Sequence, residues 1–419
     1  MVEYLGRVFG SDAVYQNLSY PDPDHVEHGH ETELDAAVKW GPFLLLIEAK
    51  ARRFRLKAQL GDIKALREDL RNNIEEAFRQ TLRARRYLES AETAEFCEKR
   101  TGRVLQVRRA DLTRVYLITV SLHFLGAAVT RLAKLHALGL MTPGDYPWAV
   151  SASELDLITR FAEGPDVLLH YIERRHQIER NGEFPLNDDL DLFGAYLSTR
   201  LNPSDLKALM PRATMIYLDA FQEPFDRWMA AARTGQPLPP LRLDVPDEIR
   251  DVLEELRRGR NDGSARWIAF AILGLTKAEL GIVAAALREA RKQSPPSGIY
   301  RRFANTINDL AFTVVIAGDG SLENLERRTA MRTVIEKYIR RTPRAIGFGI
   351  HLGEPPRPFH TLMWIEGLWE HDPRLEALLA EERPSWVADA QKLPSRNAPC
   401  VCGGGRKFKA CCLRKLERR

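Results

Sequence analysis

Asp35, Glu48 and Lys50 are the residues whose types and spacing first point to chemistry. They lie in the stretch ELDAAVKWGPFLLLIEAKA, residues 33 to 51. Glu48 and Lys50 follow directly on Leu44 to Ile47, an aliphatic run that reads as a strand buried on both faces. Ionised groups at the end of a core strand are costly unless they are paired or bound to a metal. A turn centred between Gly41 and Pro42 predicts a hairpin in which Asp35 stands opposite Glu48, and Glu33 opposite Lys50. Residues two apart on a strand share a face, so the four groups are expected to converge on one side. Two carboxylates at cross-strand distance repel unless a cation lies between them. Oxygen ligands with room for water suit Mg²⁺ or Mn²⁺. A lysine beside such an ion can orient a water for attack on phosphorus or balance charge developing in the transition state. Glu33 is expected to salt-bridge Lys50 rather than to bind the ion.

A second pattern sits at the other end of the chain, in RNAPCVCGGGRKFKACC, residues 396 to 412. Cys400, Cys402, Cys411 and Cys412 form two close pairs, whereas Cys97 stands alone. In a chain that begins without a secretory signal, such a cluster argues for metal over disulfides. Four thiolates fill a tetrahedral site, so the zinc predicted here is structural and not catalytic. Gly403 to Gly405 allow a tight turn after the first pair, and Arg406, Lys407, Lys409 and Arg414 offset the negative charge of a four-thiolate site. The string closely resembles the SEC-C motif, a small zinc module appended to many bacterial proteins and generally a binding element. That resemblance implies a protein partner docking on the tail.

Asp35, a spacer and then Glu48-Ala49-Lys50 resemble the PD-(D/E)xK nuclease superfamily, the restriction-endonuclease-like fold, over residues 1 to about 150. The resemblance implies that Asp35 and Glu48 ligate Mg²⁺ or Mn²⁺ with help from the Ala49 carbonyl, and that Lys50 is the catalytic lysine. It further implies accessory roles for Glu3, on a first helix where many members carry an additional acid, and for Gln80, which resembles the glutamine that some branches place on the helix after the hairpin. His25, His28 and His30 precede the hairpin in a stretch whose Pro, Asp and Gly read as loop. His30 is carried as an accessory candidate because related nucleases use an upstream histidine. Nucleic acid is the implied partner, with DNA favoured because the family mostly cleaves DNA, and a role in genome defence or repair follows from family company. Two alternatives come from other classes: a non-catalytic nucleic-acid-binding adaptor with a nuclease-like fold, and an RNA- or ribosome-associated factor. Retention of all three of Asp35, Glu48 and Lys50 favours the enzyme, since an adaptor has no need of them.

The elements expected to position these residues are a helix over 2 to 9, a hairpin over 32 to 51 and a long helical stretch from 58 to 96. A core strand over 114 to 124, a helix over 126 to 138 and a short strand over 147 to 151 follow. The predicted fold class is α/β, with a nuclease-like domain over 1–152 and a helical segment with a Pro-rich linker over 153–247. A second α/β domain over 248–385, with strands near 266–272, 310–316, 345–351 and 359–365, precedes a zinc module over 394–419. Between residues 52 and 89, eleven basic residues face six acidic ones. The clusters Arg52, Arg53, Arg55 and Lys57, and Arg83, Arg85 and Arg86, are the candidates for phosphate contacts. Overall, 44% hydrophobic and 28% charged residues with a net charge of +5 describe an ordinary globular protein, so whole-chain charge says little about partners. The longest weakly polar stretch, 117 to 129, is too short to span a bilayer and carries His123, and a cytoplasmic location is expected. No G-x-x-x-x-G-K-[ST] loop occurs, which argues against a nucleotide-driven motor.

Overall fold

The structure is a computed structural model of the 419-residue chain. It describes residues 1–25, 29–53, 55–124, 132, 136, 146–181, 188–209, 221–238, 241–259, 263–292, 300–307, 309–377, 379, 397 and 407–410. The chain divides into two compact units, Met1–Val245 with Leu256–Lys277 and Pro246–Glu255 with Ala278–Arg419.

The first unit is built on a mixed sheet. Helix α1 (Val2–Phe9) leads into strands β1 (Val14–Pro21), β2 (Glu31–Trp40) and β3 (Phe43–Lys50). Helices α2 (Leu56–Gln59) and α3 (Ile63–Leu70), a π-helical turn (Arg71–Glu75) and helix α4 (Glu76–Ser90) follow. Strands β4 (Thr93–Glu98), β5 (Val104–Arg108), β6 (Arg114–Ser121) and β7 (Trp148–Ser151) complete the sheet. Its order is β5-β4-β1-β2-β3-β6-β7. The pairs from β5 through β3 are antiparallel, and β3-β6-β7 run parallel. Parallel strands are usually covered on both faces, which accounts for the unbroken apolar run in β3. Phe43 to Ile47 are all 0% exposed. On one face Leu44 and Leu46 join a core with Leu70, Ile74, Phe78 and Leu88 from the helices after β3. On the other, Phe43 stacks on Trp267 and Phe270, with ring centroids 6.4 and 5.6 Å away.

Beyond the sheet the first unit is helical: α5 (Ala152–Phe161), α6 (Pro165–Asn181), α7 (Asp189–Thr199), α8 (Pro203–Leu209) and α9 (Glu223–Thr234). Helix α5 starts at a capping box in which Ser151 and Glu154 bond each other's backbone N–H groups. Helix α10 (Asp247–Arg258) spans the boundary between the units, α11 (Gly263–Leu273) belongs to the first, and α12 (Lys277–Arg291) lies almost wholly in the second. The second unit carries β8 (Tyr300–Ile307), β9 (Leu310–Ala317), α13 (Leu322–Arg340), β10 (Arg344–His351) and β11 (Thr361–Glu366). Its sheet order is β11-β10-β9-β8, with β9 and β10 parallel around the α13 crossover. Glycine is required where α13 lies on β10. A Cβ at Gly347 would sit 1.8 Å from the Thr333 hydroxyl, and one at Gly349 would sit 2.6 Å from that of Thr329.

Several expectations are corrected. The helical stretch over 58 to 96 is interrupted and ends at Ser90, because residues 93 to 98 alternate exposed and buried as strand β4. The segment 266–272 is helix α11 in the first unit; a short apolar run does not distinguish a strand from a buried helix. Most of the helix expected over 126 to 138 lies outside the described residues. Among the described residues, no helix is long and apolar enough to cross a membrane.

Candidate active site

The hairpin that carries the acids turns through Gly41 and Pro42, with Gly41 at φ 57°, a value glycine takes without strain. Pairing runs from Trp40↔Phe43 to Ala36↔Ile47, the expected register. The ladder stops there. One residue further, Asp35 leaves the hydrogen-bonding pattern, and its carboxylate Oδ2 accepts the Ala49 backbone N–H at 2.8 Å. On the outer side, the β1–β2 register is likewise interrupted between Gln16↔Ala36 and Leu18↔Leu34, where Asn17 takes φ 50°. Strands β2 and β3 therefore part where the charged residues begin, which makes room for side chains between them.

Glu48 is 3% exposed and lies on the face of β3 shared by Leu44, Leu46 and Lys50. Burial, and then the negative charge of Asp35, push its pKa up to about 8, opposed by Lys50. Asp35 is close enough to Glu48 to act on its protonation. Lys50 Nζ lies 3.8 Å from Glu48 Oε2 and donates a hydrogen bond to the Gln80 side-chain oxygen on α4. The structure thus brings Asp35, Glu48, Lys50 and Gln80 together. Lys50 O accepts from the Leu122 N–H on the β6 side. Backbone groups alternate along a strand, so the Ala49 carbonyl is directed toward β2 and Asp35.

The neighbours of this cluster were not found by sequence reasoning. Parallel pairing sets Thr119 of β6 beside Glu48, and its Oγ1 is buried without a hydrogen-bond partner. Tyr20 of β1 is 1% exposed, and its pKa, pushed up to about 12 chiefly by burial, responds to the charges of Arg83 and Glu48. Asp22, at the end of the same strand, lies 3.5 Å from Arg83. The signal that could have located Tyr20 is the aromatic-bearing stretch VYQNLSYP, which reads as a strand. The π-helical turn before α4 packs on β3 and β6; such turns are frequent at functional sites.

Other candidates fall elsewhere. Glu33 pairs with Lys99, not Lys50, because the first half of β2 follows β1 (Ser19↔Glu33), and β4 in turn pairs with β1 at Ser19↔Cys97. Glu3 is exposed on α1 and lies 3.8 Å from Arg7. His30 is exposed, with its ring edge toward His25. Arg55 clamps the segment after β3: its Nε and backbone N–H bond the Asp69 carboxylate at 2.7 and 2.8 Å, and a further nitrogen bonds Glu68. Arg86 is held bidentately by Asp24, while Arg85 lies 3.6 Å from Glu89 and Arg52 4.0 Å from Glu76. Arg53 and Lys57 are exposed. Cys400, Cys402, Cys411 and Cys412 lie outside the described residues, and Cys97 is an exposed free thiol.

Among the described residues, no group of three or more His, Cys, Asp or Glu side chains is placed to hold a metal ion. Mg²⁺ commonly takes one or two carboxylates and completes its shell with water and substrate phosphate. The donors at hand are Asp35, Glu48 and the Ala49 carbonyl, with the Thr119 hydroxyl available to a water.

Residues 396–414 match the SEC-C motif. Neither curated proteins nor solved structures yielded a match to the chain.

Proposed function

We propose that the chain is a Mg²⁺- or Mn²⁺-dependent nuclease of the PD-(D/E)xK type that hydrolyses phosphodiester bonds, in DNA for preference. The carrying observation is the arrangement at the parting of β2 and β3: two electrostatically coupled acids, one deeply buried, with an amine beside them. A structural ion pair needs one acid for one amine. Here burial, and then the second acid, push Glu48 toward its neutral form, a cost that makes sense where a divalent cation is to be received. A bound Mg²⁺ or Mn²⁺ supplies a polarised phosphoryl oxygen and an acidified water.

The remaining work falls to the chain's own residues. Asp35, fixed by the Ala49 N–H, and the buried Glu48 present the carboxylate oxygens that hold the ion. Gln80 holds the Lys50 ammonium in place by accepting a hydrogen bond from it. The other ammonium protons can orient a water or meet an oxyanion as charge develops on phosphorus. The parallel strands and the helices after β3 exclude bulk water from the Glu48 side, which strengthens these interactions.

The experiment is incubation of the full chain with plasmid, linear and single-stranded DNA and with RNA, with and without Mg²⁺ or Mn²⁺. Cation-dependent cleavage is expected. Binding without cleavage under every condition would instead favour the adaptor.

The cysteine tail is assigned, in the same reading, a structural zinc: the donor set is four thiolates in two close pairs, which leaves no open position for chemistry. Metal analysis of protein purified without chelator and with reduced thiols is expected to give one zinc per chain, lost when Cys400 and Cys402 are both replaced by serine. Zinc-free wild-type protein would contradict the site. Cleavage of a generic substrate is expected to survive that double replacement.

A further inference from the structure

We infer that the Tyr20 hydroxyl and the Arg83 guanidinium form an oxyanion subsite beside the carboxylate pair, one that takes a phosphate of the bound strand neighbouring the one attacked. The identity of the ligand rests on the nuclease reading; the subsite itself rests on geometry. Helix α4 presents Gln80, Arg83 and Tyr87 at successive three- and four-residue steps, so they line one face roughly 5–6 Å apart. Gln80 reaches Lys50, Arg83 reaches Asp22 and Tyr87 packs on Tyr20, at 5.4 Å between centroids. The subsite therefore lies one helical turn from Lys50.

Two donors there lack a well-formed partner. A buried tyrosine hydroxyl ordinarily finds one, yet that of Tyr20, whose ring is fixed between Tyr87 and Phe96, meets only the Arg83 side chain, without good hydrogen-bond geometry. The Arg83 Nε is likewise buried without a partner. Arg83 meets Asp22 only at 3.5 Å, and the Asp22 carboxylate is already engaged by the Asp24 N–H at 3.0 Å and by His25 at 3.2 Å. Nearby basic residues differ: Arg86 is held bidentately by Asp24, and Arg79 is bonded to Glu75. Tyr20 is protonated at neutral pH, the more so because burial raises its pKa, and is hence a donor. A neutral hydroxyl and a guanidinium, both with protons to give and fixed by packing, suit the non-bridging oxygens of a phosphate.

The test uses the full zinc-loaded chain, with no Mg²⁺ or Mn²⁺ added, with inorganic phosphate as the probe and ³¹P line broadening as the readout. Tyr20→Phe keeps the ring packing and removes only the hydroxyl; Arg83→Gln removes the charge, and Arg83→Lys restores it. Wild type is expected to bind phosphate, and Tyr20→Phe and Arg83→Gln each to weaken it about tenfold, with partial recovery in Arg83→Lys. No binding by wild type, or equal binding by all variants, overturns the subsite. Weakening in Arg83→Gln but not in Tyr20→Phe also overturns it, because charge alone then accounts for binding. Cleavage by wild type is scored separately. Its absence alongside variant-sensitive phosphate binding removes the nuclease reading and leaves the subsite; its presence alongside variant-insensitive binding does the reverse.

Discussion

Replacing Lys50 by alanine is expected to reduce cation-dependent cleavage by about a thousandfold while leaving the protein folded. The magnitude follows from losing one preorganised charge aimed at the developing transition state, worth roughly 10²–10³ in rate for comparable donors, and with it the donor that orients the attacking water. Folding should survive because the Lys50 side chain stands at the end of β3, beyond the fully buried run Phe43 to Ile47, and is 17% exposed. Gln80→Ala should give a smaller loss, since it frees the ammonium without removing it. Asp35→Ala should match Lys50→Ala in rate but also release the Ala49 N–H, so Asp35→Asn is the cleaner variant. The measurement is single-turnover cleavage by material shown to be free of contaminating nuclease. Equal rates for wild type and Lys50→Ala would remove this lysine from the chemistry.

Glu48→Gln is expected to abolish cleavage and yet raise stability at alkaline pH. Burial and Asp35 push the Glu48 pKa up to about 8, against an ordinary glutamate value of 4.5. The groups facing it are Asp35, Lys50, Tyr20 and the uncharged Thr119. Because the folded value is raised, the folded state binds the proton more tightly than the unfolded chain does. The stability this contributes is fully present below pH 4.5 and is lost as pH rises through about 8. Glutamine cannot ionise, so it escapes that loss. Melting curves at pH 5 should nearly coincide for the two proteins. At pH 9 the variant should be more stable by roughly 3–5 kcal/mol, and adding Mg²⁺ should narrow the gap by stabilising only wild type. A wild type as stable as the variant at pH 9 without metal would mean that Glu48 ionises freely, and the strained acid pair would not exist.

Much of the site's geometry was legible because it depends on local rules. A two-residue turn at Gly41-Pro42 sets a single register, and the period of two then places Glu48 and Lys50 on one face. The aliphatic run Leu44 to Ile47 could be read as doubly buried because nothing polar interrupts it. What sequence could not supply was how far pairing continues. Extrapolating the hairpin past Ala36↔Ile47 placed Glu33 on Lys50, whereas β2 follows β1 beyond that point and Glu33 meets Lys99. The outer strands were also missed. Strands β4 and β5 do alternate strictly, but both are short; β4 follows a strongly helical stretch that hides its alternation, and β5 has only five residues. Arg55 shows why charge runs mislead: its side chain closes on Asp69 and Glu68, so a charge-reversal test of phosphate binding belongs on Arg53 and Lys57 instead. The strand that carries Tyr20 could be read from VYQNLSYP, but its place near Glu48, like the buried unpaired hydroxyl of Thr119, is legible only in three dimensions.

The central claim, that Asp35 and Glu48 together receive a divalent cation, is tested most directly by calorimetric titration of Mn²⁺ into zinc-loaded wild type and into the Glu48→Gln variant. Wild type should show a Mn²⁺ site that the variant lacks, with no change in zinc content. Indistinguishable Mn²⁺ binding by the two proteins would contradict it.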